Sequence, residues 1–377
     1  MNGATMKKSY KFRFFAHSWV SDWNHGNAHF LRGLVRELLR LGHEVRCYEE
    51  LGGWSLSNLM KEEGENAIQA IDNFRHTYPE LDIRFYQRDE RFEEFLDQEL
   101  AEAEFVIIHE WNAPEVTNAI LRSKPKLGFR ALFHDTHHRA YSRAHEILKL
   151  QLHWFDGVLA FGEAVRKIYH DGFGIQRTWT FHEAADVSVF KPAGEVKSND
   201  LVWIGNWGDE ERTKELMEFL VRPASVLAGR KIVSYGVRYP DSALHILHTA
   251  GIEFRGYLPN ASAPAVYGQS CLALHVPRRQ YANGLSGIPT IRVFEALACG
   301  TPLLCSPWND VEHLFRSGQD YLLAADGRQM AGEVQRLMRD EQARAQIAAN
   351  GLETIRRRHT CAHRAAQLLE ICEELAQ

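Results

Sequence analysis

The chain contains no run of roughly 20 apolar residues, the length a helix needs to cross a bilayer. Basic residues gather between Met1 and Lys11, yet no apolar stretch of signal-peptide length follows them. Together these absences point to a cytoplasmic chain without an integral membrane segment. Cysteine is sparse: Cys47, Cys271, Cys299, Cys305, Cys361 and Cys372 form no C-x-x-C pair, and several stand in apolar stretches where a thiol acts as a small hydrophobe. That pattern argues against structural zinc and disulfides. There is no D-x-D sequence and no low-complexity tract. A surplus of positive charge is missing too, since 44 Lys and Arg face 49 Asp and Glu for a formal net charge of -5. A surface that tracks nucleic-acid phosphates is therefore not expected.

What is present is an ordinary globular composition, 45% apolar and 25% charged, spread over 377 residues. One hydrophobic core rarely organises so long a chain, so two domains are expected. Tyr10, Phe12 and Phe14 alternate with Lys11 and Arg13 as in a short strand, and a polar loop from His17 to Asn27 follows. Phe30, Leu31, Leu34, Val35, Leu38 and Leu39 then recur at helical spacing, with Gly42 beyond them suited to a left-handed cap. Apolar strand runs return at Val45 to Tyr48, Phe105 to His109, Phe129 to Phe133, Gly157 to Phe161 and Thr178 to Phe181. A polar stretch, Ala193 to Asn199, separates these from a second set at Leu201 to Ile204, Lys231 to Tyr235, Ile252 to Tyr257, Cys271 to Val276, Pro302 to Cys305 and Tyr321 to Ala324. Such alternation predicts an α/β protein with two doubly wound, Rossmann-like domains, over residues 1–192 and 193–360, and ligands in the crevice between them. The terminal segment, residues 361–377, reads as an amphipathic helix able to pack on either domain, including back on the first.

The densest signal is Gly284 to Ser306, G-L-S-G-I-P-T-I-R-V-F-E-A-L-A-C-G-T-P-L-L-C-S: a glycine loop, a helix started by Pro289 and stopped by Gly300, then a strand. Glycines let a backbone approach a ligand, and the free amides of a helix start favour an anion such as a diphosphate. Ile291, Val293, Phe294, Leu297 and Ala298 wrap most of this helix, so it is buried, yet it carries Arg292 and Glu295 at i, i+3 spacing. Two arrangements satisfy them. They pair with each other, or Arg292 faces phosphate while Glu295 accepts hydrogen bonds from ribose hydroxyls.

His275 to Leu303, H-V-P-R-R-Q-Y-A-N-G-L-S-G-I-P-T-I-R-V-F-E-A-L-A-C-G-T-P-L, resembles the donor-binding core of the CgeB-like (spore maturation type) glycosyltransferases, relatives of the retaining family 4 enzymes. Phe181 to Pro192 resembles that family's interdomain junction, Leu201 to Asp209 its first donor-domain strand and loop, and Gly256 to Pro259 the turn beside the nucleobase. The resemblance covers the C-terminal half; the N-terminal half matches in layout. It implies the GT-B architecture, a UDP-, GDP- or dTDP-linked sugar as co-substrate in place of a cofactor, no metal, and transfer to a hydroxyl acceptor such as a glycan, lipid-linked sugar, protein or small metabolite. Carried over residue by residue, it implies donor contacts from Gly205, Asn206, Tyr257, Leu258, Arg278, Ser286, Gly287, Arg292 and Glu295. Glu295 matches the second glutamate of the family's E-x7-E motif. The first falls at Gly287 and is missing, which leaves the contact to the sugar hydroxyls unassigned.

On the acceptor side, Ser18 to Asn27 (S-W-V-S-D-W-N-H-G-N) opens a helix and sets Asp22 and His25 at the crevice mouth, with two tryptophans that could stack on a sugar or pack locally. His134-Asp135-Thr136-His137-His138 and His109-Glu110-Trp111-Asn112 each follow a strand. The histidines are too closely spaced along the chain for shared metal ligation. The resemblance puts His134 beside the transferred sugar, oriented by Asp135; an inverting reaction would instead need a base such as His25 or Asp22. Two other functions share this pattern, a nucleotide-sugar 2-epimerase and a non-catalytic coat or assembly protein.

Overall fold

The computed structural model describes residues 8–208 and 210–377. The start of the basic N-terminal segment, residues 1–7, and Asp209, the last residue of the loop after the strand at Leu201, lie outside the described residues. Seven parallel strands form the first sheet: β1 (Lys11–Phe15), β2 (Glu44–Glu50), β3 (Ile83–Tyr86), β4 (Phe105–His109), β5 (Arg130–Asp135), β6 (Gly157–Ala160) and β7 (Thr178–Thr180), in the order β3-β2-β1-β4-β5-β6-β7. Six form the second: β8 (Asn199–Ile204), β9 (Ile232–Tyr235), β10 (Ile252–Phe254), β11 (Ser270–His275), β12 (Leu303–Cys305) and β13 (Leu322–Leu323), in the order β10-β9-β8-β11-β12-β13. Helices cover both faces, which is why β4 can be Phe-Val-Ile-Ile-His with every residue buried. Strand order reverses between β1 and β4 and again between β8 and β11. A ligand crevice is expected beyond the carboxyl ends of those strands.

The helix Ala28–Arg40 follows β1 and ends as its sequence predicts, with Gly42 at φ +88°. It packs against the C-terminal helix Cys361–Ala376, and their approach is close: a Cβ on Gly33 would lie 2.7 Å from Cys361 Sγ. The C-terminal helix thus returns to the first sheet, where Gln367 Nε2 donates to Thr180 O at 2.8 Å and Trp179 Nε1 to Glu374 Oε2 at 3.1 Å. Leu368, Ile371 and Leu375 are buried there, and each such side chain contributes about 1.5–3 kcal/mol relative to exposure. Its start is fixed by a capping box between Thr360 and His363.

Two segments cross between the sheets, one from Phe181 to Ser198 and one at His359–Cys361. They are stitched together, as Ala185 N donates to His359 O at 2.9 Å and Cys361 N to Ala185 O at 3.0 Å. Beside them the central helix of the second domain, Ile291–Ala298, begins two residues later than a helix led by Pro289 would. Thr290 is its cap, so Pro289 stands outside it, and Gly300 closes the other end at φ +65°.

Candidate functional site

A cavity of about 620 Å³ lies where the two switch points face each other. Loops after β1, β4 and β5 build one wall with His17, Asp22, His25, Trp111 and His137, joined by Trp54 from the helix after β2. Loops after β8, β9, β10 and β11 build the other with Gly205, Asn206, Arg212, Arg238, Tyr257, Leu258 and Arg278. Glu183, in the crossover, closes the floor. Hydrogen bonds span the cleft around it: Asn206 Nδ2 to Asn24 Oδ1 at 2.7 Å, Tyr257 Oη to Asp22, and His29 N to Asn260 Oδ1 at 3.1 Å.

Besides Arg238, the guanidinium groups of Arg212, Arg278 and Arg292 stand on the second wall. Arg292 Nη1 donates to Glu295 Oε2 at 2.6 Å, and Arg278 pairs with Glu211. Arg212 has no carboxylate partner among the described residues; Nη2 reaches Asn206 Oδ1 at 2.7 Å, Nη1 reaches Val276 O at 3.2 Å, and Nε has no hydrogen-bond partner. Burial and the neighbouring Arg278 push its pKa down to about 9, the mark of a buried cation beside another cation, a conflict that a bound anion would relieve. Thr290 and Ile291 also line the cavity, and the side chain of Thr290 does not cap the helix, so the helix start borders the same space. A close approach of the two domains sets this geometry: a Cβ on Gly26 would lie 3.3 Å from Ile291 Cγ2 and 3.5 Å from Arg292 Nη2.

The first wall is rich in aromatic rings. His17 and His25 lie 4.2 Å apart, ring to ring, and His109 lies 5.7 and 5.8 Å from them. Burial first, then neighbouring imidazoles and arginines, holds His17 down to about 4 and His25 and His109 well below the ordinary imidazole value, so all three are uncharged at neutral pH. Both ring nitrogens of His25 are buried without a partner among the described residues. Among those residues no group of three His, Cys, Asp or Glu could hold a metal ion.

The structure brings Asp22, His25, Gly205, Asn206, Tyr257, Leu258, Arg278 and Arg292 to the cavity. Asp22 is a strut rather than a free base, because Arg32 Nη1 donates to Oδ2 at 2.8 Å while Tyr257 occupies the other oxygen. Several expectations need correction. Glu295 is 0% exposed and outside the cavity lining, with Tyr267 Oη at 3.0 Å from Oε2 and His29 Nδ1 at 3.3 Å from Oε1, so in this structure it anchors Arg292 and presents no free oxygen to the cavity. Of the two arrangements the sequence allowed, the ion pair is the one the structure contains. His134 is buried between Phe30 and Phe181 rather than in the cavity. Successive residues of a strand point to opposite faces, so Asp135 cannot orient it; its oxygens take the Tyr169 hydroxyl at 2.6 Å and His137 N at 2.9 Å. Ser286 and Gly287 lie outside the cavity lining: Gly287, at φ +94°, donates to Asn309 O at 2.6 Å, and Gly284 makes room for Tyr141. Those glycines serve contact between segments of protein. Trp19 and Trp23 are buried, and the tryptophans that reach the cavity are Trp54 and Trp111.

Sequence reading missed Arg212 and Glu183. Glu183 is only 3% exposed, lines the cavity, and has its pKa raised well above the ordinary value by burial and then by Glu295. Its signal was a lone charge within Phe181-His182-Glu183-Ala184-Ala185, where Phe181, Ala184 and Ala185 are all buried.

Two parallel, doubly wound sheets facing across such a cavity define the GT-B fold. Anabaena HepE, solved in complex with UDP and glucose, matches it with a TM-score of 0.70 at 12% identity, over 97% of this chain and 100% of that one. Sucrose-phosphate synthase from Thermosynechococcus elongatus matches at 0.65, with 12% identity and coverage of 97% and 99%. AviGT4, a glycosyltransferase involved in avilamycin A biosynthesis, matches at 0.62, with 17% identity and coverage of 97% and 98%. At these identities the likeness is one of fold. Within the chain, residues 212–370 match the family model described as glycosyl transferase-like. No curated protein matches the sequence. Among the described residues no helix is long and apolar enough to cross a membrane.

Proposed function

We propose that the protein transfers a sugar from a nucleoside diphosphate sugar to a hydroxyl acceptor, with retention and without a metal ion, and that it belongs to the CgeB-like branch. One observation supports the reading above the others: the arginine wall, with Arg212 lacking a carboxylate partner among the described residues and the start of the helix Ile291–Ala298 beside it, inside the cleft between two switch points. As the bond from C1 to the donor oxygen breaks, its electron pair and negative charge pass to the diphosphate. Arg212, Arg278 and Arg292 meet that charge, and one such donor is worth about 2.7–4 kcal/mol of barrier. The acceptor hydroxyl attacks C1 from the face the leaving group vacates and gives its proton to the departing phosphate oxygen. Glu183, whose carboxyl burial and then Glu295 raise well above the ordinary value and so toward the protonated form, takes the sugar-hydroxyl contact left open by the glycine at the first E-x7-E position.

Thermal unfolding against UDP, GDP and dTDP tests the donor site, since a ligand bound to the native state raises Tm by mass action. UDP comes first, because the HepE complexes contain it. Stabilisation by one diphosphate, lost in Arg212→Met, is expected; no response to any of them sinks the reading. Incubating the donor without acceptor separates transfer from 2-epimerisation, which alone would convert the donor sugar.

A further inference from the structure

The acceptor wall contains two tryptophans that the protein holds rigid yet leaves open. Trp54 is 53% exposed, and its position is set by the buried Trp23 packed edge-on at 4.9 Å. Trp23 is itself fixed by a hydrogen bond from Nε1 to Glu62 at 2.7 Å. Trp111 is 38% exposed; Arg139 covers one face of its ring at 3.9 Å, and His137 abuts it at 5.0 Å. Both rings line the cavity, and the His17 ring, 6.5 Å from Trp111, lies on the same wall. Exposed tryptophan costs solvation free energy, so two of them held open at a cavity mouth mark a binding surface.

The chemistry of that wall narrows what binds there. An indole face is electron-rich and attracts the weakly positive C–H groups that one face of a pyranose presents. A phosphate-bearing acceptor would need free cations on this side, and the arginines here already have carboxylate neighbours: Arg139 is held by Glu110 at 3.1 Å, and Arg143, at longer range, has Glu146 at 3.7 Å and Glu211 at 3.8 Å. The nearby imidazoles are uncharged. We propose that the acceptor is a neutral saccharide whose ring lies against Trp54 and Trp111, presenting its hydroxyl beside His25. This rests on the donor reading above.

The test uses the full-length protein with UDP present, applied to an array carrying neutral mono- and oligosaccharides, undecaprenyl-phosphate-linked sugars and unglycosylated peptides. A neutral saccharide should be retained, with affinity falling about tenfold in Trp54→Ala and in Trp111→Ala, and recovering in Trp111→Phe, which keeps a ring. The UDP-induced rise in Tm is measured on every variant and should not change, which shows that each is folded and that the donor site is intact. Retention of the phospholipid-linked sugars or peptides instead, saccharide binding indifferent to both alanine variants, or no saccharide retained by a protein that UDP stabilises each overturn the proposal. Failure of UDP to stabilise the wild-type protein would overturn the donor reading and this one with it.

Discussion

Removing the carboxylate of Glu295 separates an anchoring role from a ligand-contacting one. In Glu295→Gln, Arg292 loses its charged partner at 2.6 Å, and the hydrogen bond from Tyr267 at 3.0 Å is weakened. Breaking a buried pair from one side costs about 3–5 kcal/mol. The Arg292 side chain remains 21% exposed toward the cavity, so water recovers part of this, and about 2–3 kcal/mol is expected. For a domain of this size that lowers Tm by roughly 5–10 °C. Thermal unfolding of the ligand-free protein measures it, and a cycle with Arg292→Met should show a coupling of at least about 1 kcal/mol. Burial opposes ionisation of Glu295, but Arg292 and His29 outweigh it and hold the carboxyl below its ordinary 4.5. The group therefore stabilises the fold fully above the unfolded value and loses that contribution as pH falls through the folded one, so the gap between wild type and mutant should close in acid. A ribose-contacting glutamate would leave the ligand-free Tm unmoved; that result, or an additive cycle, would refute the anchor.

Three further outcomes follow from the same geometry. His134→Leu should keep transfer at pH 7 within about twofold while flattening the acid slope of stability. The histidine, held down to about 3 by burial, takes up a proton only on unfolding between about pH 6.5 and 3, so in the wild type stability falls across that window; transfer abolished at unchanged stability would restore His134 to the site. Glu183→Gln imitates a protonated acid and should hold kcat/KM at pH 7 within about threefold, whereas Glu183→Ala should lose more than tenfold; equal losses would count against the proton. Gly26→Val drives methyls into the space of Ile291 and Arg292 and should weaken nucleotide binding more than tenfold, read by calorimetry, with binding at wild-type strength contradicting the close approach.

The architecture was legible because parallel strands covered on both faces are continuous apolar runs, and Phe105 to His109 matches β4 residue for residue. β3 escaped notice because an edge strand needs less apolar character: of Ile83-Arg84-Phe85-Tyr86 only Tyr86 is fully buried. In the site, residues on loops at strand ends were found, since chain order alone places such loops at the crevice. Residues inside elements were misplaced where orientation decides. A strand turns His134 and Asp135 to opposite faces, and a helix wrapped in apolar groups gives no sign of which charge looks outward. Arg292 does and Glu295 does not. Arg212 was hidden for a different reason: its meaning lies in having, among the described residues, no carboxylate such as Arg278 has, a fact of three-dimensional pairing.

The paired crossovers have a mechanical consequence. A single linker would let one domain swivel about it freely. Here two backbone segments run side by side and are laced through Ala185, His359 and Cys361, while the terminal helix is bolted to the far domain. Such a double strap bends easily across its width and resists torsion. A strap of this kind favours bending about one axis over swivelling of one domain against the other, and a bend about that axis would bring the tryptophans back opposite the same arginines.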